Sequence, residues 1–135
     1  MPMPLEDIPR RQERLILADA TQRFERLLVN RMFERNDVGA FAELAQIARA
    51  LWSGTLRGQA LTAQQVAHMI GMPRTTVLRK LQYFVKQDYV TQDGSAYQIS
   101  DAALRTTTPM LDSAIKLIIE TADALLAVQN GQQKP

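Results

Sequence analysis

Five side chains between positions 74 and 82 could read a base edge or hold an anion if one helix carries them. Arg74, Thr75, Leu78, Arg79 and Gln82 fall on one face once Val77, Leu81, Phe84 and Val85 are taken as its buried stripe. Arginine can bond guanine through two N–H groups. Glutamine can bond adenine, and threonine or leucine can touch a thymine methyl. Arg74 would stand in the first turn, where its charge opposes the helix dipole and a phosphate or base would relieve it. From Leu44 to Gln87 there are six basic residues (Arg49, Arg57, Arg74, Arg79, Lys80, Lys86) and no Asp or Glu, in a chain whose net charge is only +2. A one-signed segment in a balanced chain is the footprint of a polyanion partner. Lys80, Lys86 and Arg57 are expected to neutralise phosphates. Thr62, placed to cap a helix, could also offer its hydroxyl and backbone N–H to a phosphate there.

Other chemistries find little support. The chain has no cysteine, which removes thiol nucleophiles, disulfides and cysteine-based zinc sites. One histidine, His68, cannot build a multi-histidine metal site, and it reads as a surface residue. There is no glycine-rich phosphate loop and no pair of carboxylates at useful spacing on one element. We therefore expect no enzyme, no cofactor and no metal. At 135 residues the chain can bury one domain's core. Its longest apolar run is five residues, Ala124 to Val128, too short to span a bilayer. The start, MPMPLEDIPR, has no apolar signal core, so a cytoplasmic protein is expected.

The elements that must position the reading face can be placed by periodicity. Residues 1–9 carry Pro2, Pro4 and Pro9 and predict an extended arm, with Pro9 suited to a first helical turn. Leu17, Phe24, Leu28 and Met32, widened by Leu15, Leu27 and Val29, predict an amphipathic helix over 10–35. Asn36-Asp37 can cap a second helix running from Val38 to about Leu56, with Gly54 and Gly58 near its end. Short helices follow at Ala63–Ile70 and from Arg74 to about Gln87, separated by Gly71-Met72-Pro73. Alternation at Tyr89–Thr91 and Tyr97–Ile99 around Asp93-Gly94 predicts a hairpin. Tyr97 points either inward with Ile99 or outward. Ser100 can cap a short helix. Thr108-Pro109 predicts the start of a last helix over 109–128, with a stripe of Leu111, Ile115, Ile118, Ala122 and Leu125 beside Ile119 and Leu126. Residues 129–135 read as a flexible tail. Phe33, Phe41 and Trp52 read as core or interface residues.

Two helices that cross sharply need a small residue at the crossing and a residue tolerant of positive φ at the turn. Ala67 and Gly71 supply them, and Val66, Ile70, Met72 and Val77 can plug the angle between the helices. With the hairpin close behind, this is a winged helix-turn-helix. Over 59–100, from ALTAQQVAHMIGMPRTTVLRKLQYFVKQDYV to YQIS, the sequence resembles the MarR-type winged helix-turn-helix transcription regulators. The flanking helices extend that resemblance to most of the chain.

The resemblance implies a mainly α fold with a short β-hairpin wing and long N- and C-terminal helices, 10–35 and 109–128, that intertwine in a homodimer. The recognition helix of the 38–100 winged region would enter the major groove of double-stranded DNA. The implied function is sequence-specific transcription regulation, as a repressor on a palindromic operator. The alternative is a winged helix that holds protein partners and no DNA. Many members also bind an aromatic effector between the dimer and DNA-binding regions. Three departures stand out. Asp88 replaces the usual glycine after the recognition helix, and the wing tip, Gln92-Asp93-Gly94-Ser95, has no basic residue. Lys80 occupies a commonly apolar position, so Leu81 must supply the packing there.

Overall fold

The computed structural model describes residues 2–32 and 38–132, with side chains described over 2–28 and 42–131. A 3-10 turn at Leu5–Asp7, where an extended arm was expected, precedes helices α1 (Arg11–Met32) and α2 (Val38–Leu56). A short strand β1 (Leu61–Thr62) leads into α3 (Ala63–Ile70) and α4 (Arg74–Lys86). Strands β2 (Val90–Asp93) and β3 (Ala96–Ile99) precede the long α5 (Asp101–Gln132). The chain divides into two units, one of residues 35–108 and one formed by 1–34 with 109–135. Helix α5 contributes its first turns to the winged unit and the rest to the terminal unit.

The winged unit has a closed core. Ile47 and Leu51 from α2, Val66 from α3, Val77, Leu81 and Phe84 from α4 and Val90 from β2 are all fully buried. Side chains 77, 81 and 84 lie three and four apart, as one helical face requires. Three helices end the same way. In each, a residue one or two positions past the helix takes a left-handed conformation, and the next N–H returns to a carbonyl five positions back. At α2 this is Gly58 (φ +74°), with Gln59 N–H to Gly54 O at 2.8 Å. At α3 it is Gly71 (φ +67°), with Met72 N–H to Ala67 O at 3.1 Å. At α4 it is Asp88 (φ +60°), with Tyr89 N–H to Phe84 O at 3.0 Å. The Tyr89 and Phe84 rings then pack 5.1 Å apart across the α4 end, the apolar contact that often accompanies such a cap.

Gly54 has a separate reason to be glycine. A Cβ there would come within 2.6 Å of the Gln59 carbonyl and 2.9 Å of Leu61. Leu61 is buried, and its strand was not expected from the sequence. β1 pairs antiparallel with β3, Leu61 opposite Tyr97, making a three-stranded sheet in the order β1-β3-β2. The predicted hairpin is present, but its turn is centred one residue further on. Asp93 pairs with Ala96, so Gly94 (φ +61°) and Ser95 form the two-residue loop. Positive φ at the first central residue alone is the type II′ pattern, which takes glycine there.

Two helix boundaries differ from the sequence reading. Pro9 does not open α1. Arg10 intervenes in a left-handed conformation (φ +53°), its carbonyl accepting from Arg14 N–H. The second difference is larger: no new helix begins at Pro109. Ser100 caps α5, its Oγ accepting from Ala103 N–H at 3.0 Å, and the helix continues through Pro109 to Gln132. Proline removes the rung to the Arg105 carbonyl there, and on the turn before it Thr107 and Thr108 bond back to Ala103 O at 2.6 Å and Leu104 O at 2.7 Å, a pattern that bends a helix without ending it. Residues 129–132 are thus helical rather than tail. The expected cap at Asn36-Asp37 lies outside the described residues.

In the terminal unit α1 and α5 meet in antiparallel order. Arg23 pairs with Glu120 at 3.5 Å, and Gln129 Nε2 donates to Glu13 at 3.4 Å. Glu13 is buried and takes two further bonds from the Arg10 guanidinium, at 2.9 and 2.7 Å. Along α5 the covered positions are Met110, Ala114, Leu117, Thr121, Ala124, Leu125 and Val128. Of the predicted stripe only Leu125 is among them; Leu111, Ile115, Ile118 and Ala122 are instead open to solvent. At 3.6 residues per turn the two seams lie about 100° apart around the helix.

Candidate nucleic-acid interface

The interface is built on α3, α4 and the wing. Thr62 closes the N-terminus of α3 with a reciprocal capping box. Its Oγ1 accepts from Gln65 N–H at 3.2 Å, and its own N–H donates to Gln65 Oε1 at 2.9 Å. The expectation that Thr62 offers a backbone N–H to a phosphate is thereby corrected, because that N–H is already bonded. Thr-x-x-Gln is a capping-box spacing visible in the sequence, and Gln65 is the partner that the reading above overlooked. The cap fixes where α3 starts, and Gly71 fixes where it ends.

Pro73 then begins α4 without a side-chain cap. No acidic residue stands in the first turn of α4, so its positive dipole end faces outward together with Arg74. Burial of Val77, Leu81 and Phe84 turns the opposite face to solvent. There Arg74, Thr75 and Arg79 are exposed, and Leu78 between them is half-buried. These four form a contiguous surface of two guanidinium groups, one hydroxyl and one aliphatic side chain. Lys86 is exposed in the last turn of the same helix, and Arg57 is exposed after α2, its guanidinium bonded to Ser53 Oγ.

Of the other two predicted members, Lys80 lies off this face and Gln82, which lies on it, is engaged by the wing. Lys80 is only 17% exposed and pairs with Glu43 of α2 at 3.5 Å. It sits on the side of α4 that meets the core, and its ammonium is matched by a carboxylate, so it is not a phosphate neutraliser. Sequence spacing could have shown this, since Lys80 neighbours Val77 and Phe84 at helical intervals of three and four. Gln82 is exposed, but both N–H bonds of its side-chain amide are engaged. Nε2 donates to Tyr97 Oη at 3.2 Å and to Gln92 Oε1 at 3.5 Å. A bidentate contact to adenine needs that nitrogen as a donor, so Gln82 as placed is not a base reader.

The wing's inner side is apolar and its tip is uncharged or acidic. Tyr97 is 3% exposed, which resolves its direction as inward. Tyr89 is also buried, its Oη accepting from Trp52 Nε1 at 2.6 Å, with the two rings edge to face. Burial pushes the Tyr89 phenol up to about 12, and the Trp52 hydrogen bond opposes this only in part. Trp52 is thus committed to the base of the wing. Thr91, Gln92, Asp93, Gly94, Ser95 and Gln98 are exposed along the hairpin. His68 is exposed on α3, and the described residues contain no cluster of acidic or histidine side chains able to hold a metal ion. Nor is any helix among them long and apolar enough to cross a membrane.

A family match bears on this geometry. Residues 55–94 match the IclR helix-turn-helix domain, less than half of the chain but all of α3, α4 and β2. That family differs from the MarR type; what the match supports is the helix-turn-helix itself. No curated protein matches the chain. Among solved structures, a "probable transcriptional regulator" from Pseudomonas aeruginosa is similar at 18% identity and a TM-score of 0.40, covering 93% of this chain and 99% of that one.

Proposed function

We propose that this chain is a sequence-specific double-stranded DNA-binding transcription regulator that acts as a homodimer, as a repressor on an imperfect palindrome. The observation that carries the reading is the exposed face of α4, where Arg74, Thr75, Leu78 and Arg79 stand together on a helix that the IclR-type match identifies as part of a helix-turn-helix. Arg79 and Arg74 read guanine edges, and Thr75 and Leu78 meet thymine methyls. Lys86 and Arg57 neutralise phosphates, which adds affinity without sequence preference. Such a regulator works in the cytoplasm, where the DNA is, and it needs no catalytic reaction. No described residue points to a small effector.

The dimer reading rests on the terminal unit and is the part that follows the MarR-type resemblance. Its occupant is a second copy of the chain, seated on Leu111, Ile115 and Ile118 of α5. Charge favours self-association: α1 carries five arginines against three acidic residues, whereas 109–132 carries one lysine against three. A two-fold dimer would set its two recognition helices roughly 34 Å apart, about 10 base pairs between half-site centres.

Selection from a random duplex pool, followed by binding measurements across a salt series, tests the reading. Arg79→Ala should lose about 1–3 kcal/mol on the selected site and relax preference at one position per half-site. Lys86→Ala should weaken all duplexes alike and flatten the salt dependence. Equal effects of the two changes on selected and random DNA would show the recognition face to be wrong. A second reading, a winged helix that holds only protein partners, is favoured by one observation: the wing tip presents Asp93 and no cation. Absence of any duplex binding at low salt would select it.

A further inference from the structure

We infer that Gln82 is a positioning residue that locks the wing to the recognition helix, so that a wing without cations can reach DNA in a fixed pose. The inference rests on the DNA-binding reading above. Gln92 and Tyr97 face each other as cross-strand partners in the β2–β3 hairpin. Gln82, from the middle of α4, donates to both side chains, to Tyr97 Oη at 3.2 Å and to Gln92 Oε1 at 3.5 Å. Gln92 in turn donates through Nε2 to the Gly94 carbonyl at 3.0 Å. A relay therefore runs from the recognition helix through two carboxamides to the backbone of the wing tip. Tyr97 anchors its side of the relay because its ring is buried beneath the sheet.

The relay matters because of what the tip lacks. A cation acts on phosphates over roughly 8 Å at physiological salt, so a wing that carries one tolerates a loose pose. This tip carries Asp93, which repels phosphate, and otherwise only Gly94, Ser95 and neutral amides. Its favourable contacts with DNA are hydrogen bonds, which need heavy atoms within roughly 3.2 Å and good alignment. Such contacts require a wing held in register with α4, and Gln82 is the side chain that does it. The same two N–H bonds that make Gln82 a lock remove it from base reading.

The test uses the full chain with Gln82→Ala, Gln92→Ala and the double variant. In the free protein, amide exchange at residues 94–97 should speed up in Gln82→Ala while the α4 amides at 77–81 keep their protection. On DNA, each single variant should lose roughly three- to tenfold in affinity on selected and random duplexes alike, the scale of one hydrogen bond. The double variant should be no worse than Gln82→Ala alone, since that change already cuts the relay. Hydroxyl-radical protection should weaken at the sugars flanking each half-site and persist in its centre, and the base preferences should not move. Unchanged exchange at 94–97, or a Gln82→Ala protein that loses preference for adenine at one position, would overturn the lock. A wild-type chain that binds no duplex would overturn the DNA reading instead; faster exchange in Gln82→Ala would then still support the lock.

Discussion

The winged unit satisfies its own apolar surface and the terminal unit does not. In the winged unit Phe84, Ile47, Leu51, Leu81, Val66, Val77 and Val90 are fully buried. In the terminal unit Leu15, Leu17, Leu111, Ile115, Ile118, Ile119 and Leu126 are each more than half exposed, while Leu117 is buried. Both regions are helical and similarly apolar in sequence, so composition does not separate them. What differs is the number of layers. Elements α2, α3, α4 and the sheet enclose a core from several sides. Helices α1 and α5 form one antiparallel pair, and a pair can bury only one face of each member. The second seam of α5 is therefore a surface in want of a layer, which a second copy would supply.

This contrast can be broken by experiment. Ile115→Asp with Ile118→Asp should leave the fold intact, because both side chains are already open, but should raise the dimer dissociation constant at least about 100-fold. Burying each isoleucine contributes about 1.5–3 kcal/mol, all of it lost here. Sedimentation at a series of concentrations reads this, and an unchanged dimer would place the interface elsewhere. Phe84→Ala should do the converse. It should cost about 3–5 kcal/mol of folding free energy in urea titration, because it empties a filled core. A loss below about 1 kcal/mol would mean that the winged core is less closed than its burial indicates.

Two smaller effects sharpen the picture within the winged unit. The Tyr89 phenol, raised by burial to about 12, keeps its proton in the folded state while an unfolded tyrosine loses it near 10. The folded state thus binds more protons over that range. Its stabilising contribution is complete below about pH 10 and falls as pH rises toward 12, by about 2–3 kcal/mol in all. Amide exchange should show the loss in α4 and the sheet, and Tyr89→Phe should abolish it. A Tyr89→Phe protein with the same alkaline loss would assign the effect to another group. Asp88→Gly should raise stability by about 0.5–1 kcal/mol, since glycine takes the left-handed cap of α4 without the Cβ conflict. A lower melting temperature would show that the aspartate side chain stabilises this turn.

Much of the winged unit was legible before any coordinates. Gly71 marks a helix end because few residues tolerate positive φ. Val77, Leu81 and Phe84 mark a buried face because their spacing matches the helical repeat. These signals are local, and local geometry decides them. What Gln82 and Lys80 meet was illegible for the opposite reason. Helical periodicity assigns a direction but not what stands in that direction: Glu43, Gln92 and Tyr97 come from elements distant in sequence. The strand at Leu61–Thr62 was invisible because two residues have no periodicity, and it exists only because β3 is there to pair with it.

Sequence alone determined the identity and order of the helices that make the reading face, because caps, turns and apolar spacing act over a few residues. It also determined that α5 is apolar over more surface than one helix neighbour covers. Only the tertiary structure decided which apolar seam of α5 is covered and which is open, since two stripes about 100° apart are equally good helical faces until another element packs on one. It also decided that α5 runs unbroken through Pro109. Proline weakens a helix by a fixed local amount, and whether the helix survives depends on the side-chain bonds and packing on either side of it.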